Sequence, residues 1–158
     1  MSERIGWSRI LEYVGQGAVV VSLIYVGVQV RQNTAAIQTS TSQEVYQQNQ
    51  EVGLLVMESA EMAGILLQAD QDLAALSPLD SIRYGRWLNV TLNLYEAVYA
   101  NALQGTMEAE MAAGWLDDMS ELRCTPGMAG YWEERRSSYH RAFQAALDSA
   151  FAVAMCPE

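Results

Sequence analysis

Apolar and polar positions divide the chain into one long apolar run and several shorter helical patterns. Residues 13–30 contain no charged side chain and are mostly aliphatic. Residues 32–53 are polar and rich in Gln, Ser and Thr. Further on, apolar residues recur every three or four positions, the spacing of amphipathic helices. We therefore predict an N-terminal tail at 1–9, an apolar helix at 10–31, a polar helical extension or linker at 32–53 and a helical domain at 54–155.

The first half of the domain predicts two helices. Leucines, methionines and an isoleucine within residues 54–66 indicate a short amphipathic helix. Ser77 is placed to cap a second helix, which begins at Pro78 and ends at Gly105, because a hydroxyl before proline favours a helix start and glycine favours a helix end. The apolar positions of this second helix are Tyr84, Leu88, Tyr95 and Val98, with Trp87 and Leu94 on an adjacent stripe.

The second half predicts two more helix starts, with Thr106 and Thr125 as the capping residues. The last helical segment is expected over residues 131–153. Its apolar side carries Trp132, Tyr139, Phe143, Ala146 and Leu147. No segment alternates apolar and polar residues as a β-hairpin does. The predicted fold is therefore all-α, with an N-terminal transmembrane helix followed by a small helical bundle.

The apolar run has three interpretations. Its 18 residues without a charge extend about 27 Å as a helix, just enough for a hydrocarbon core of about 30 Å. A cleaved export signal would have a shorter apolar region and a small-x-small cleavage site. A buried helix of a soluble bundle is the third interpretation, since the run is short and contains two glutamines. We expect a single membrane-spanning anchor.

One face of this helix is small and polar. Large aliphatic residues lie mainly on the other side, and small or polar faces are where transmembrane helices approach one another. We expect this face to meet another membrane protein or a copy of this chain; the alternative is a single helix surrounded by lipid. The face consists of Gly15, Ala18, Ser22, Tyr25 and Gln29.

Basic residues near the apolar run favour one orientation. Arg4 and Arg9 precede the run, whereas Arg31 follows it and the next basic residue is Arg83. Positive charge is retained on the cytoplasmic side. We expect a bacterial inner-membrane protein with its N-terminus in the cytoplasm and its C-terminal domain in the periplasm.

Charge and cysteine content narrow the functional classes. The chain has 19 acidic and 9 basic residues, and the part from Gln32 onward carries 17 acids and 6 arginines, a net −11. Such an acidic domain repels a phosphate backbone, so nucleic acid is excluded as a partner. Cys124 and Cys156 do not form a zinc set or a CxxC pair. Their spacing leaves open a disulfide or two unpaired thiols.

A few residues are candidates for chemistry. His140 is the only histidine, and its spacing from nearby acids does not match a carboxylate–histidine metal motif. Glu96 lies in an apolar environment, which predicts an ion pair with Arg135 or Arg136 across the bundle. An enzyme with Glu96 and Arg135 in its site is a remote alternative. Another alternative is that the two arginines bind a carboxylate or phosphate ligand. We expect no catalytic residue, cofactor or metal.

Three segments resemble a group of uncharacterised bacterial single-pass membrane proteins. These segments are VVVSLIYVGVQVRQNT, LYEAVYANALQGTMEAEM and TPGMAGYWEERRSSYHRAF. In that group, an apolar helix ends in Q-x-R-Q-N-T and a C-terminal box reads P-G…W…R-R…Y…F. The chain departs at Gln38, where the group has a basic residue. The resemblance implies a single-pass inner-membrane protein with a helical domain and no assigned reaction.

Together these observations predict a non-enzymatic, membrane-anchored interaction protein. We expect an accessory subunit that docks on a larger membrane complex through its apolar helix. The alternative is a self-associating homo-oligomer that acts as a scaffold or small pore, with Ser22 and Gln29 lining its centre. The expected partners are the lipid bilayer and other membrane proteins or copies of the chain.

Overall fold

Six α-helices make up the described part of the chain, with no β-strand among its residues. The computed structural model describes the backbone of residues 3–156 and the side chains of residue 7 and residues 10–156. The helices are α1 (Glu3–Glu58), α2 (Ala60–Asp72), α3 (Pro78–Gln104), α4 (Ala109–Asp117), α5 (Met128–Arg135) and α6 (Arg141–Val153). Short 3₁₀ helices occupy Leu73–Ala75, Asp118–Cys124 and Arg136–Ser138. The predicted all-α class is confirmed.

The chain divides into two compact units between Ile37 and Gln38. The first unit is a single helical segment whose described side chains are all exposed. Of the predicted N-terminal tail, residues 1–2 lie outside the described residues, and residues 3–9 belong to α1. The predicted polar extension is helical, and its part from Gln38 onward belongs to the second unit.

Two apolar clusters hold the second unit together. The larger contains side chains of α2, α3, α5 and α6, among which Leu92, Met128, Phe143 and Leu147 are completely buried. The smaller joins Val45 of α1 to Leu94 and Val98 of α3, to Met107 before α4 and to Ala112 within α4. Burial of each large aliphatic side chain stabilises the fold by about 1.5–3 kcal/mol. The end of α1 is therefore part of the bundle rather than a linker beside it.

Helix α3 begins and ends as its sequence predicts. The Ser77 hydroxyl accepts a hydrogen bond from the Asp80 amide at 3.2 Å, and Pro78 occupies the first turn. At the other end, Gly105 has φ 67°, a left-handed conformation that glycine adopts without steric cost. The strong local signals at both ends explain why this helix is predictable.

The helix predicted over residues 54–66 is wrong, because a break at Ser59 divides it. Ser59 has φ −112° and ψ 99°, and its hydroxyl accepts a hydrogen bond from the Met62 amide at 3.1 Å. Leu55 therefore belongs to α1, whereas Ile65 belongs to α2 and is buried there. Because the apolar pattern continues across the break, it gives no sign that Ser59 caps a new helix.

Thr106 does not cap a helix as predicted. Its hydroxyl bonds instead to the Asn101 side-chain and main-chain oxygens, at 2.9 and 3.2 Å. Helix α4 begins later, with Glu108 at its N-cap position.

Thr125 is also not the N-cap of a helix as predicted; it follows the 3₁₀ helix Asp118–Cys124 as its C-cap. The Met128 amide donates to the Thr125 carbonyl at 3.0 Å, and the intervening Gly127 has φ 73° and ψ −8°. These angles at the third residue are typical of a type II turn, for which Pro126 is favourable at the second. Helix α5 therefore starts at Met128.

The last predicted segment, residues 131–153, is not a single helix. It is interrupted by the 3₁₀ helix Arg136–Ser138 and by extended backbone at Tyr139 and His140. Four of the five predicted apolar residues are nevertheless buried: Trp132, Tyr139, Phe143 and Leu147.

Candidate membrane and interaction surfaces

The apolar part of α1 presents its side chains outward over its whole length. Among the described residues there is one helix long and apolar enough to cross a membrane; it lies near the N-terminus, and its most apolar 18-residue window has 0% of its residues buried. A core helix of a soluble protein passes the same length and composition test, but its window is mostly buried. The exposure of this window argues against that interpretation. An export signal would pass the test too.

The small and polar face of this segment forms hydrogen bonds within the helix. The Ser22 hydroxyl donates to the Ala18 carbonyl at 2.8 Å. The Gln29 amide donates to the Tyr25 hydroxyl, also at 2.8 Å. Both bonds join residues four positions apart, one turn along the same face.

These bonds reduce the cost of placing polar groups in lipid, where an unsatisfied donor costs several kcal/mol. They also leave capacity for bonds to another helix, since the Gln29 oxygen and the Tyr25 proton are not used in them. Gly15 has no atom within 4 Å of the position its β-carbon would occupy. The face combines a surface that permits close approach with polar groups available for interhelical bonding.

The predicted ion pair of Glu96 with Arg135 or Arg136 is not found among the described residues. Glu96 instead accepts a hydrogen bond at 2.6 Å from the main-chain N–H of His140. His140 precedes α6, and its amide has no intrahelical partner, so the carboxylate satisfies it. Glu96 thereby ties α3 to the start of α6, a structural role in place of the predicted one.

Arg136 pairs with an acid that sequence reasoning did not identify. Its guanidinium donates through Nε to Asp148 Oδ2 at 2.9 Å, and also through Nη2. Trp132 Nε1 donates to Asp148 Oδ1, likewise at 2.9 Å. The Asp148 carboxylate therefore links α6 both to α5 and to the 3₁₀ helix Arg136–Ser138. Twelve and sixteen residues separate these partners, which is too far for a local sequence signal.

This arrangement changes the acidity of both charged groups. The hydrogen bonds from Arg136 hold the pKa of Asp148 below its usual value, with a smaller contribution from Trp132. The same contact raises the pKa of Arg136. Both groups are therefore charged at neutral pH.

Arg135 forms no ion pair among the described residues, unlike Arg136, and it lines a polar cavity between α3 and α5. The cavity has a volume of about 520 Å³, and Arg86, Asn89 and Tyr139 also line it. The Tyr139 hydroxyl accepts a hydrogen bond from Asn89 Nδ2 at 3.4 Å. Burial raises the pKa of Tyr139 to about 12, so the hydroxyl keeps its proton. Sequence reasoning missed Arg86, because no pattern links it to Arg135 49 positions later.

Cys124 and Cys156 form a disulfide, the alternative that the sequence left open. Their Cα atoms are 5.2 Å apart, and 32 positions separate the residues. The bond joins the end of the 3₁₀ helix Asp118–Cys124 to the segment after α6. The Arg123 guanidinium adds a hydrogen bond to the Phe151 carbonyl at 3.1 Å. Disulfides persist in oxidising compartments and are rare in the cytosol.

Comparison with known proteins identifies no relative: no family model, curated protein or solved structure matches this chain.

Proposed function

We propose that this protein is a membrane-anchored, non-enzymatic interaction protein, most simply an accessory subunit of a larger membrane complex. The observation that carries the proposal is the fully exposed apolar segment of α1 with its small and polar face. A lipid bilayer would cover the aliphatic side, and a partner helix would cover Gly15, Ala18 and Ser22. This partner is another membrane protein.

The domain after the anchor lies on the periplasmic side in this proposal. The Cys124–Cys156 disulfide supports an oxidising compartment. Arg4 and Arg9 before the apolar run support a cytoplasmic N-terminus, because positive charge is retained there. The two arguments are independent, and they favour the same orientation.

The experiment is extraction of the native protein from bacterial membranes in mild detergent, followed by determination of the particle's mass and composition. A mixed particle of reproducible stoichiometry is the expected result. A particle that contains only this chain would contradict the accessory-subunit proposal and support the homo-oligomer instead. Release from the membranes without detergent would contradict membrane anchoring itself.

A further inference from the structure

A cavity lined mainly by apolar side chains lies between the last turns of α1, helix α2 and the first half of α3. Its volume is about 380 Å³, and Val52, Leu55, Met62, Ile65, Trp87 and Val90 line it. Small-molecule sites commonly enclose about 300–1,000 Å³ and are predominantly apolar with a few polar groups. The cavity is therefore near the lower end of the size range for a ligand site.

Several of the apolar residues at this cavity remain exposed. Leu55 is 63% exposed, Ile82 66% and Val90 41%. Apolar side chains gathered around a concave surface mark a binding site more often than scattered ones do. The cavity thus offers apolar area that the bundle itself leaves uncovered.

Two arginines of α3 line the same cavity, and they differ in their partners. Arg83 is paired with Glu61 and lies 3.6 Å from Asp80. Arg86 is exposed and makes no ion pair or side-chain hydrogen bond with the residues that the structure describes. The Arg86 guanidinium is therefore an uncompensated positive charge, although the chain from Gln32 onward carries a net −11.

The apolar cavity adjoins the polar cavity described above. Ile82 and Arg86 line both, so α3 presents an apolar side and a cationic side at one point. Arg135 adds a second guanidinium to the polar cavity, where no described carboxylate pairs with it. The juxtaposition matches a molecule with an apolar part and one anionic group.

We propose that the domain binds a single-chain amphiphile, a long-chain carboxylate whose alkyl chain fills the apolar cavity and whose head group bonds to Arg86. The planar guanidinium matches the two oxygens of a carboxylate in a bidentate arrangement. Arg135 stabilises the same charge from the polar cavity. A single chain fits the small apolar volume better than the two chains of a phospholipid.

The test uses the full-length protein in nanodiscs of neutral phosphatidylcholine, titrated with dodecanoate by calorimetry after subtraction of empty discs. Dodecanol is the uncharged probe of the same chain length. We expect dodecanoate to bind at least tenfold more tightly than dodecanol, since a charge-assisted hydrogen bond contributes roughly a factor of ten or more. Equal binding of the two probes would overturn the proposal.

Matched variants separate the two parts of the site. Arg86→Gln is expected to weaken dodecanoate binding about tenfold, while Arg141→Gln, an exposed arginine of α6 that lines neither cavity, leaves it unchanged. Leu55→Gln weakens binding of both probes, whereas Leu103→Gln, with 64% of its side chain exposed, does not. Equal losses in each matched pair would show that the cavities are not the site.

Discussion

At the residue scale, Gly127 combines a left-handed backbone with a close neighbouring side chain. Its φ of 73° is left-handed, and a β-carbon there would lie 2.8 Å from Leu73 Cδ2. The left-handed conformation costs a residue other than glycine about 1–2 kcal/mol. The Leu73 side chain could move to relieve the contact, so the backbone conformation is the larger part of the cost.

Gly127→Ala is therefore expected to lower the free energy of unfolding by about 1–2 kcal/mol. Gly105→Ala is the matched control, since Gly105 has φ 67° but no atom within 4 Å of its β-carbon position. Urea unfolding of the full chain in nanodiscs, monitored by tryptophan fluorescence, measures the change in unfolding free energy caused by each substitution. A smaller loss at Gly127 than at Gly105 would contradict the contact with Leu73.

Asp148 makes a pH-dependent contribution to stability. Arg136 lowers the pKa of this carboxyl in the folded protein relative to 3.8. A group with a depressed folded pKa stabilises the fold at pH values above its unfolded pKa, and this stabilisation is lost as the pH falls through the folded pKa. The window of loss therefore begins near pH 4 and continues below it.

Asp148→Asn is expected to destabilise the fold at pH 7 and to differ progressively less from wild type as the pH falls below 4. Unfolding measured from pH 7 to pH 3 gives this difference directly. Asp117→Asn is the control, because Asp117 forms no ion pair or side-chain hydrogen bond among the described residues. A constant difference between Asp148→Asn and wild type across the range would contradict the prediction.

At the scale of elements, the apolar segment of α1 offers a matched test of its two faces. Ala18→Leu and Ser22→Leu place bulk on the small face, and Ser22→Leu also removes the hydroxyl that donates to the Ala18 carbonyl. Val20→Leu and Ile24→Leu alter the aliphatic side while conserving its apolar character. We expect the first pair to dissociate the native particle and the second pair to leave it intact. Particle mass in mild detergent is the measurement; equal behaviour of the two pairs would show that the helix does not pack through this face.

The elements also show how far sequence patterns reach. Helix α3 is predictable because Ser77, Pro78 and Gly105 act within one turn of its ends. The bounds of α5 and α6 are not predictable in this way. Near the end of α5, Arg136 bonds to Asp148 twelve positions away, and at the start of α6 the His140 amide bonds to Glu96 at a separation of 44. Such long-range bonds lie near the ends of these helices and leave no local signal in the sequence.

Of the candidate surfaces, one can likewise be predicted from the sequence and the others cannot. The small face of α1 is predictable, since residues on one helix share a face by spacing alone. The two cavities cannot be predicted from spacing, because they are lined by residues of separate helices that meet only in the folded bundle. These helices are α1, α2, α3 and α5. Val45 is an example of a buried residue that the pattern does not predict. Only 3% of it is exposed, although it lies in a mainly polar stretch.

At the scale of the whole molecule, the Cys124–Cys156 disulfide is a covalent constraint on the second unit. The bond closes a loop of about 33 residues, which corresponds to about 3–4 kcal/mol in the chain-entropy model. The Cys124→Ser, Cys156→Ser double variant is expected to lose about 2–4 kcal/mol of unfolding free energy. Wild-type protein treated with a reductant provides the control, since it should unfold at the same urea concentration as the variant.

The same disulfide reports the orientation of the domain in living bacteria. Alkylation of free thiols in intact cells, before any reduction, distinguishes an oxidised from a reduced pair. We expect the wild-type protein to remain unlabelled, because the proposed orientation places its domain in the oxidising periplasm. Labelled wild-type protein would contradict the proposed orientation.

Moving the flanking charges should reverse that result. Arg4→Gln and Arg9→Gln remove two positive charges before the apolar run, while Gln32→Arg and Asn33→Arg add two after it. The positive-inside bias then favours a cytoplasmic domain, where Cys124 and Cys156 stay reduced and become alkylated. Replacing Gln47 and Gln48 with arginine adds the same charge farther from the apolar run, and this variant, which retains Arg4 and Arg9, should remain unlabelled. If the reversed-charge protein also stays oxidised, the flanking arginines do not determine the orientation, and the disulfide alone supports a periplasmic domain.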